Sequence, residues 1–153
     1  MTLDNFAATR PGTILLVEDD SNDVETMRIA LRRVGSPYHF ATVPNGQEAI
    51  DYLSGTGRYA NRRQFPVPCL VLLDLSLPIV NGFDVLSWMR DEWCEMPPVI
   101  VLSYSRQEHD RRRALQLGAR GYYVKSPDLA GTVALVKSLL VLNFLPALSL
   151  EEA

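Results

Sequence analysis

The stretch LVLLDLSLP, residues 70–78, runs four consecutive apolar side chains, Leu70, Val71, Leu72 and Leu73, straight into a carboxylate, Asp74. A short continuous apolar run that ends in turn residues reads as a strand buried on both faces. A charge at the end of such a strand either meets water or has a task. The same figure recurs upstream, where residues 14–17 (ILLV) stop at Glu18, Asp19 and Asp20.

Working outward, strand-like runs alternate with helical ones. After the first strand, Ser21 is the expected cap of a helix with Val24, Met27, Ala30, Leu31 and Val34 at helical spacing and Gly35 as its stop. Residues 38–43 form the second strand, and Asn45 caps a helix to Leu53. Residues 54–68 (SGTGRYANRRQFPVP) make an unusually long connection, read equally as a recognition surface or a solvated insertion. The third strand is residues 69–73 and its helix residues 82–93. Strand four is 99–102, helix four 106–117, strand five 122–124, and a last helix runs 128–142. Five such alternations with continuous apolar strands predict an α/β fold, a doubly wound parallel sheet covered on both faces.

At 153 residues and 47% hydrophobic, the chain suits one domain with a single sizeable core. The expected organisation is a flexible segment over 1–12, one domain over 13–142, and a tail over 143–153 with no separate output domain. A net charge of -3 offers no general attraction to nucleic acid or anionic membrane. Cys69 and Cys94 lack metal-ligand spacing and are expected to be buried free thiols. No apolar run is long enough to span a bilayer and residues 1–12 (MTLDNFAATRPG) lack the apolar core of a secretory signal, so the expected location is the cytoplasm.

Ligands of an open parallel sheet bind outside the carboxyl ends of its strands. Glu18 and Asp19 end strand one, Asp74 ends strand three, Ser103 follows strand four and Lys125 ends strand five. Taken singly, the acids also read as solvated helix-terminal charges, Lys125 as a surface lysine and Ser103 as a helix cap. Together at one edge, crowded carboxylates call for a hard divalent cation, and an all-oxygen set points to Mg2+. A cation beside an ammonium equips the site for phosphoryl transfer, with Asp74 as nucleophile and Ser103 bonding a phosphoryl oxygen.

These residues resemble the receiver domain of bacterial two-component response regulators. The resemblance is carried by ILLVEDD, LVLLDLSLPIVNGFDVL, VIVLS and GARGYYVKSP, which together span residues 14 to about 142. It implies a flavodoxin-like five-stranded sheet of order 2-1-3-4-5 with five helices. It also implies that Asp74 accepts phosphate from a sensor histidine kinase or a histidine phosphotransfer protein. Asp19 and Asp74 would ligate Mg2+ directly, Glu18 would hold a metal-bound water, and the Ser76 carbonyl would add a ligand. Ser103 and Lys125 would bind the phosphoryl group, and Tyr122 stands at the position of the switch aromatic. The expected consequence is a changed surface on the fourth helix, fifth strand and fifth helix.

Two residues depart from the family pattern. Ser126 separates Lys125 from Pro127, and the bulky Tyr104 follows the switch serine, where it would restrict access to Asp74. The long connection before strand three and the Lys-Ser step resemble stand-alone regulators that partner bacterial phytochromes. A second apolar stripe on the last helix (Leu135, Leu139, Leu142) and the apolar tail predict a homodimer through the fourth helix, fifth strand, fifth helix or the tail, the alternative being a tail that folds back on its own domain. The run Arg111–Arg112–Arg113 is read as a solvated, ion-paired face instead of a DNA contact. The reading is a phosphorylation switch that turns over no external metabolite. One alternative is a phosphate-independent adaptor or dimerisation module. The other is an aspartate-nucleophile phosphatase, disfavoured because Ser76 stands where that class wants a second acid.

Overall fold

The computed structural model describes residues 12–141; the expectations for residues 1–11, for Leu142 and for the tail lie outside the described residues. Five strands form one parallel sheet: β1 (Thr13–Val17), β2 (His39–Val43), β3 (Leu70–Leu73), β4 (Val99–Ser103) and β5 (Gly121–Val124). Their order is β2-β1-β3-β4-β5, all neighbours parallel, as expected. Between and after them come α1 (Ser21–Arg33), α2 (Gly46–Ser54), α3 (Gly82–Glu92), α4 (Glu108–Gln116) and α5 (Leu129–Val141).

The period-two geometry of strands divides the core into two layers. Leu15, Val17, Val71, Leu73, Val99 and Val101 face α2, α3 and α4, meeting Ala49, Leu53, Val85, Leu86, Met89 and Ala114. The alternate residues Ile14, Leu16, Leu70, Leu72, Ile100 and Leu102 face α1 and α5, meeting Met27, Ala30, Leu31, Val136 and Leu139. Every residue of β1, β3 and β4 is buried, which is why their sequences read as unbroken apolar runs. Among the described residues, no helix is long and apolar enough to cross a membrane.

Several local expectations are corrected. Asp20, not Ser21, caps α1: its carboxylate accepts from the backbone of Asn22 at 2.8 Å and Asp23 at 3.3 Å. A charged acceptor at a helix N-terminus gains from the helix dipole as well as the hydrogen bonds. Cys94 is exposed in the turn between α3 and β4, and Cys69 is half-buried; both are free thiols. The second stripe of α5 also turns inward, since Leu135 and Leu139 pack in the α1/α5 layer with Leu129, Val133, Val136 and Leu140. Among the described residues of that stripe, Leu139 is buried and Leu135 partly so, and both are engaged within the domain.

The long connection is anchored by its own small core, while most of its other residues are exposed. Tyr59 is buried and forms a ring cluster with Tyr52 and Phe65, with centroids 5.1–5.9 Å apart. Arg62 donates to the carbonyls of Tyr52, Leu53 and Phe65 at 2.8, 2.7 and 3.2 Å, so a guanidinium satisfies the C-terminus of α2. Arg111 and Arg112 pair with Glu108, as expected of a solvated face, while Arg113 stacks 4.1 Å over the Phe83 ring. Trp88 and Trp93 pack on the core beside each other.

Gly82 fixes the loop after Asp74. A Cβ there would lie 2.3 Å from the Asp74 carbonyl oxygen and 2.7 Å from Leu75 Cα, both backbone atoms that cannot step aside. Gly82→Ala is expected to lower stability by about 1–3 kcal/mol, measured by urea denaturation, because β3 and α3 must part to admit the methyl group. An unchanged midpoint would show slack in this loop.

Candidate functional site

The strand ladders extend beyond the last strand residues and carry the polar side chains into position. Glu18 N donates to Val43 O at 3.0 Å, Asp74 N to Val17 O at 3.1 Å and Lys125 N to Ser103 O at 2.8 Å. Each functional residue is thus held by the neighbouring strand while its side chain leaves the sheet. They meet around a mouth of about 260 Å3 at the carboxyl edge, to which Asp19, Ser76, Tyr104 and Ser105 also contribute.

At its centre is one ammonium among acids. Lys125 Nζ pairs directly with Glu18, and lies 3.1 Å from Asp23 and 3.3 Å from Asp74. Its side chain is only 11% exposed, and Glu18 and Asp74 are buried. Burial pulls the Lys125 ammonium down, but the surrounding carboxylates of Glu18, Asp74 and Asp23 outweigh it and hold it above its ordinary value. Glu18 goes the other way from a usual ion-paired acid: burial, reinforced by Asp74, pushes it up to about 8 against the pull of Lys125. More carboxylates than ammonium groups share this site, so each acid raises the cost of ionising the next.

The donor set fits a hard cation. Glu18, Asp19 and Asp74 each offer a carboxylate oxygen within 4.8 Å of the others, with no sulfur or imidazole among them. Asp74 Oδ1 accepts from Ser76 N at 3.2 Å, leaving Oδ2 towards Lys125. Asp20, the third acid of the EDD run, is spent as the α1 cap, which separates it from the ligand set.

Ser103 ends β4 and is buried, its hydroxyl accepting from Ser105 N at 3.1 Å. Tyr122 sits on the opposite face of the β5 ribbon from Tyr123, half-buried against the α2/α3/α4 layer. Its hydroxyl donates to Ser105 O at 2.7 Å. Ser105 therefore joins the two residues expected to act together, and its own hydroxyl donates to Asp110 on α4 at 2.6 Å. The Lys125–Ser126 step is trans, as are all described peptide bonds. Ser126 Oγ accepts from Asp128 N at 3.3 Å, and Asp128 caps α5 through Gly131 N at 2.8 Å. The loop after Asp74 is tight: Val80 N closes on Pro78 O at 2.8 Å around Ile79, whose φ of 69° is strained for a β-branched residue.

One contributor, Asp23, was missed by reading strand ends alone. Asp23 lies in the first turn of α1, which begins directly after the acids that end β1, and its carboxylate reaches Lys125 Nζ. Tyr104 was expected to restrict access; it also receives Lys125 Nζ 4.9 Å from its ring centroid and donates its hydroxyl to Asp23 at 3.2 Å.

Comparison with known proteins agrees with this geometry. The family model described as the response regulator receiver domain matches residues 14–137. A protein of Methanothrix harundinacea named "Probable methanogenesis regulatory protein FilR2" is 36% identical over 141 residues, covering 88% of this chain and 86% of its own. The response regulator Rcp1 of Synechocystis is 31% identical, covering 84% and 86%, and the Mn2+-bound structure of Rcp1 superposes with a TM-score of 0.74 at 30% identity, covering 84% and 91%. The phosphorylated cyanobacterial phytochrome response regulator RcpA superposes with a TM-score of 0.75 at 36% identity, covering 82% and 89%.

Proposed function

The chain belongs to the response regulator receiver domain family, and from that premise we propose that it is a phosphorylation switch whose acceptor is Asp74. The observation that carries this reading is the buried contact between the Lys125 ammonium and the Asp74 carboxylate, within a cluster holding more acids than cations. An Asp74 carboxylate oxygen attacks the phosphorus of a phosphohistidine; the phosphorus–nitrogen bond breaks, and the imidazole leaves with the electron pair and takes up a proton. Lys125 and the Ser103 hydroxyl meet the incoming oxygens; the ammonium already stands beside Asp74 before the group arrives, and the hydroxyl turns to it. Mg2+, held by Asp19, Asp74 and the Ser76 carbonyl with Glu18 holding a metal-bound water, would supply charge neutralisation when bound.

The switch follows from Ser105. When the Ser103 hydroxyl turns to the phosphoryl group, its bond to Ser105 N is given up, and the same residue holds Tyr122 and Asp110. Charge placed at Asp74 thus reaches β5 and α4 through one short segment. The readout is protein contact through α4, β5 and α5, where Val124 and Val141 are exposed apolar side chains; a homodimer through this face or the tail belongs to the same reading. The donor is a sensor histidine kinase or histidine phosphotransfer protein in the cytoplasm, and the likeness to RcpA supports a bacterial phytochrome as the sensor. The chain is read as one receiver domain over 13–142 between terminal segments, and it turns over no external metabolite.

The test is incubation with acetyl phosphate and Mg2+, read by intact mass. One phosphoryl increment is expected, absent when the reaction is run with Mg2+ chelated from the start. No increment together with no beryllofluoride binding would sink the reading in favour of a phosphate-independent adaptor.

A further inference from the structure

Tyr104 leaves the end of β4, yet its hydroxyl meets Asp23 in the first turn of α1, the helix that follows β1. In the sheet order, β3 lies between β1 and β4, so this side chain crosses the carboxyl end of the strand that presents Asp74. Three contacts define its path: the hydroxyl lies 3.2 and 3.4 Å from the two Asp23 oxygens, and the ring is stacked against the Lys125 ammonium. Asp23 is simultaneously bound to that ammonium at 3.1 Å, closing a triangle of Tyr104, Asp23 and Lys125 beside the acceptor. Tyr104 is 57% exposed, so it can swing outward without disturbing the core.

We propose that Asp23 is a positioning residue that latches Tyr104 across the mouth of the phosphoacceptor site, slowing both the entry of small phosphodonors and the entry of water to the acyl phosphate. The proposal rests on the receiver reading above. Two steps pass through the mouth. In loading, an Asp74 oxygen bonds to the phosphorus of acetyl phosphate, the phosphorus–oxygen bond to acetate breaks, and acetate leaves with the electron pair. In loss, a water oxygen bonds to phosphorus, the bond to the Asp74 oxygen breaks, and Asp74 regains its carboxylate as inorganic phosphate departs. Both need an approach line to phosphorus. A ring pinned by its hydroxyl obstructs that line more of the time than a ring free to rotate.

The test compares wild type with Y104F, D23A, the Y104F/D23A double variant and Y104A, each with Mg2+. Loading by acetyl phosphate and decay after donor removal are followed by intact mass, with near-ultraviolet circular dichroism confirming the fold. Y104F keeps the ring and removes only the latch. The expected result is that Y104F and D23A each speed loading and decay by about fivefold, the equivalent of one ordinary hydrogen bond. The double variant should be no faster in decay than either single one, and Y104A should set the ceiling. Y104F at the wild-type rate beside a fast Y104A would overturn the latch, leaving ring bulk alone. Additive effects of Y104F and D23A would also overturn it, because Asp23 would then act through its charge. If no variant gains the phosphoryl mass, the receiver reading itself fails and the latch with it.

Discussion

Asp74→Asn is expected to abolish the phosphoryl adduct and, in metal-free buffer, to unfold at a higher urea concentration than the wild type. The first effect follows from chemistry: a carboxamide oxygen cannot replace the carboxylate as nucleophile towards phosphorus. The second follows from crowding. Lys125 is shared among Glu18, Asp23 and Asp74, and Asp74 adds to the burial that already drives Glu18 upward. An asparagine preserves the shape and the acceptor for Ser76 N while removing one charge, and Lys125 keeps its other two partners. The expected gain is about 0.5–2 kcal/mol, the size of a typical single stabilising substitution. Saturating Mg2+ should narrow or reverse the difference, because the wild type gains the larger binding free energy. An adduct that persists in the variant would place the acceptor elsewhere. A variant less stable without metal would mean that the Lys125 contact outweighs repulsion among the acids.

The strands, their parallel arrangement and the edge that gathers Glu18, Asp19, Asp74, Ser103 and Lys125 were legible because each is written locally, whereas the strand order came from the family resemblance. An unbroken apolar run that stops at a polar residue specifies both a buried strand and what stands at its end. What escaped the sequence depends on contacts between distant segments. Arg62 looks like a solvated loop residue until the C-terminal carbonyls of α2 turn out to face it. Leu135 and Leu139 look like surplus apolar surface until α1 is seen to pack against α5 and widen the stripe that a single sheet contact would need. Asp23 belongs to the site only because α1 begins immediately at the sheet edge. The Asp20 cap shows a different limit: in a run of three acids and a serine, composition alone did not reveal which residue takes the helix end.

Without divalent metal, stability is expected to fall as pH rises from about 5 to 8. Burial, aided by Asp74, holds Glu18 at about 8 in the folded protein, against 4.5 for the unperturbed side chain. Between those values the folded chain keeps a proton that the unfolded chain has released, so raising the pH favours unfolding, by at most about 1.4 kcal/mol per pH unit for one group. Lys125 adds no slope in this window: its folded value is raised, so its contribution is whole below the unfolded lysine value and is lost only as pH climbs through the folded one. Urea denaturation at pH 5, 6, 7 and 8 with chelator present measures the slope, and Glu18→Gln should flatten it. Added Mg2+ should stabilise the wild type more at pH 8 than at pH 5, since the cation must displace the proton that Glu18 holds. A slope that survives in Glu18→Gln would assign the titration to another group. A flat wild-type profile would mean that Lys125 keeps Glu18 ionised throughout, and the acids at this edge would then be in balance before any cation arrives.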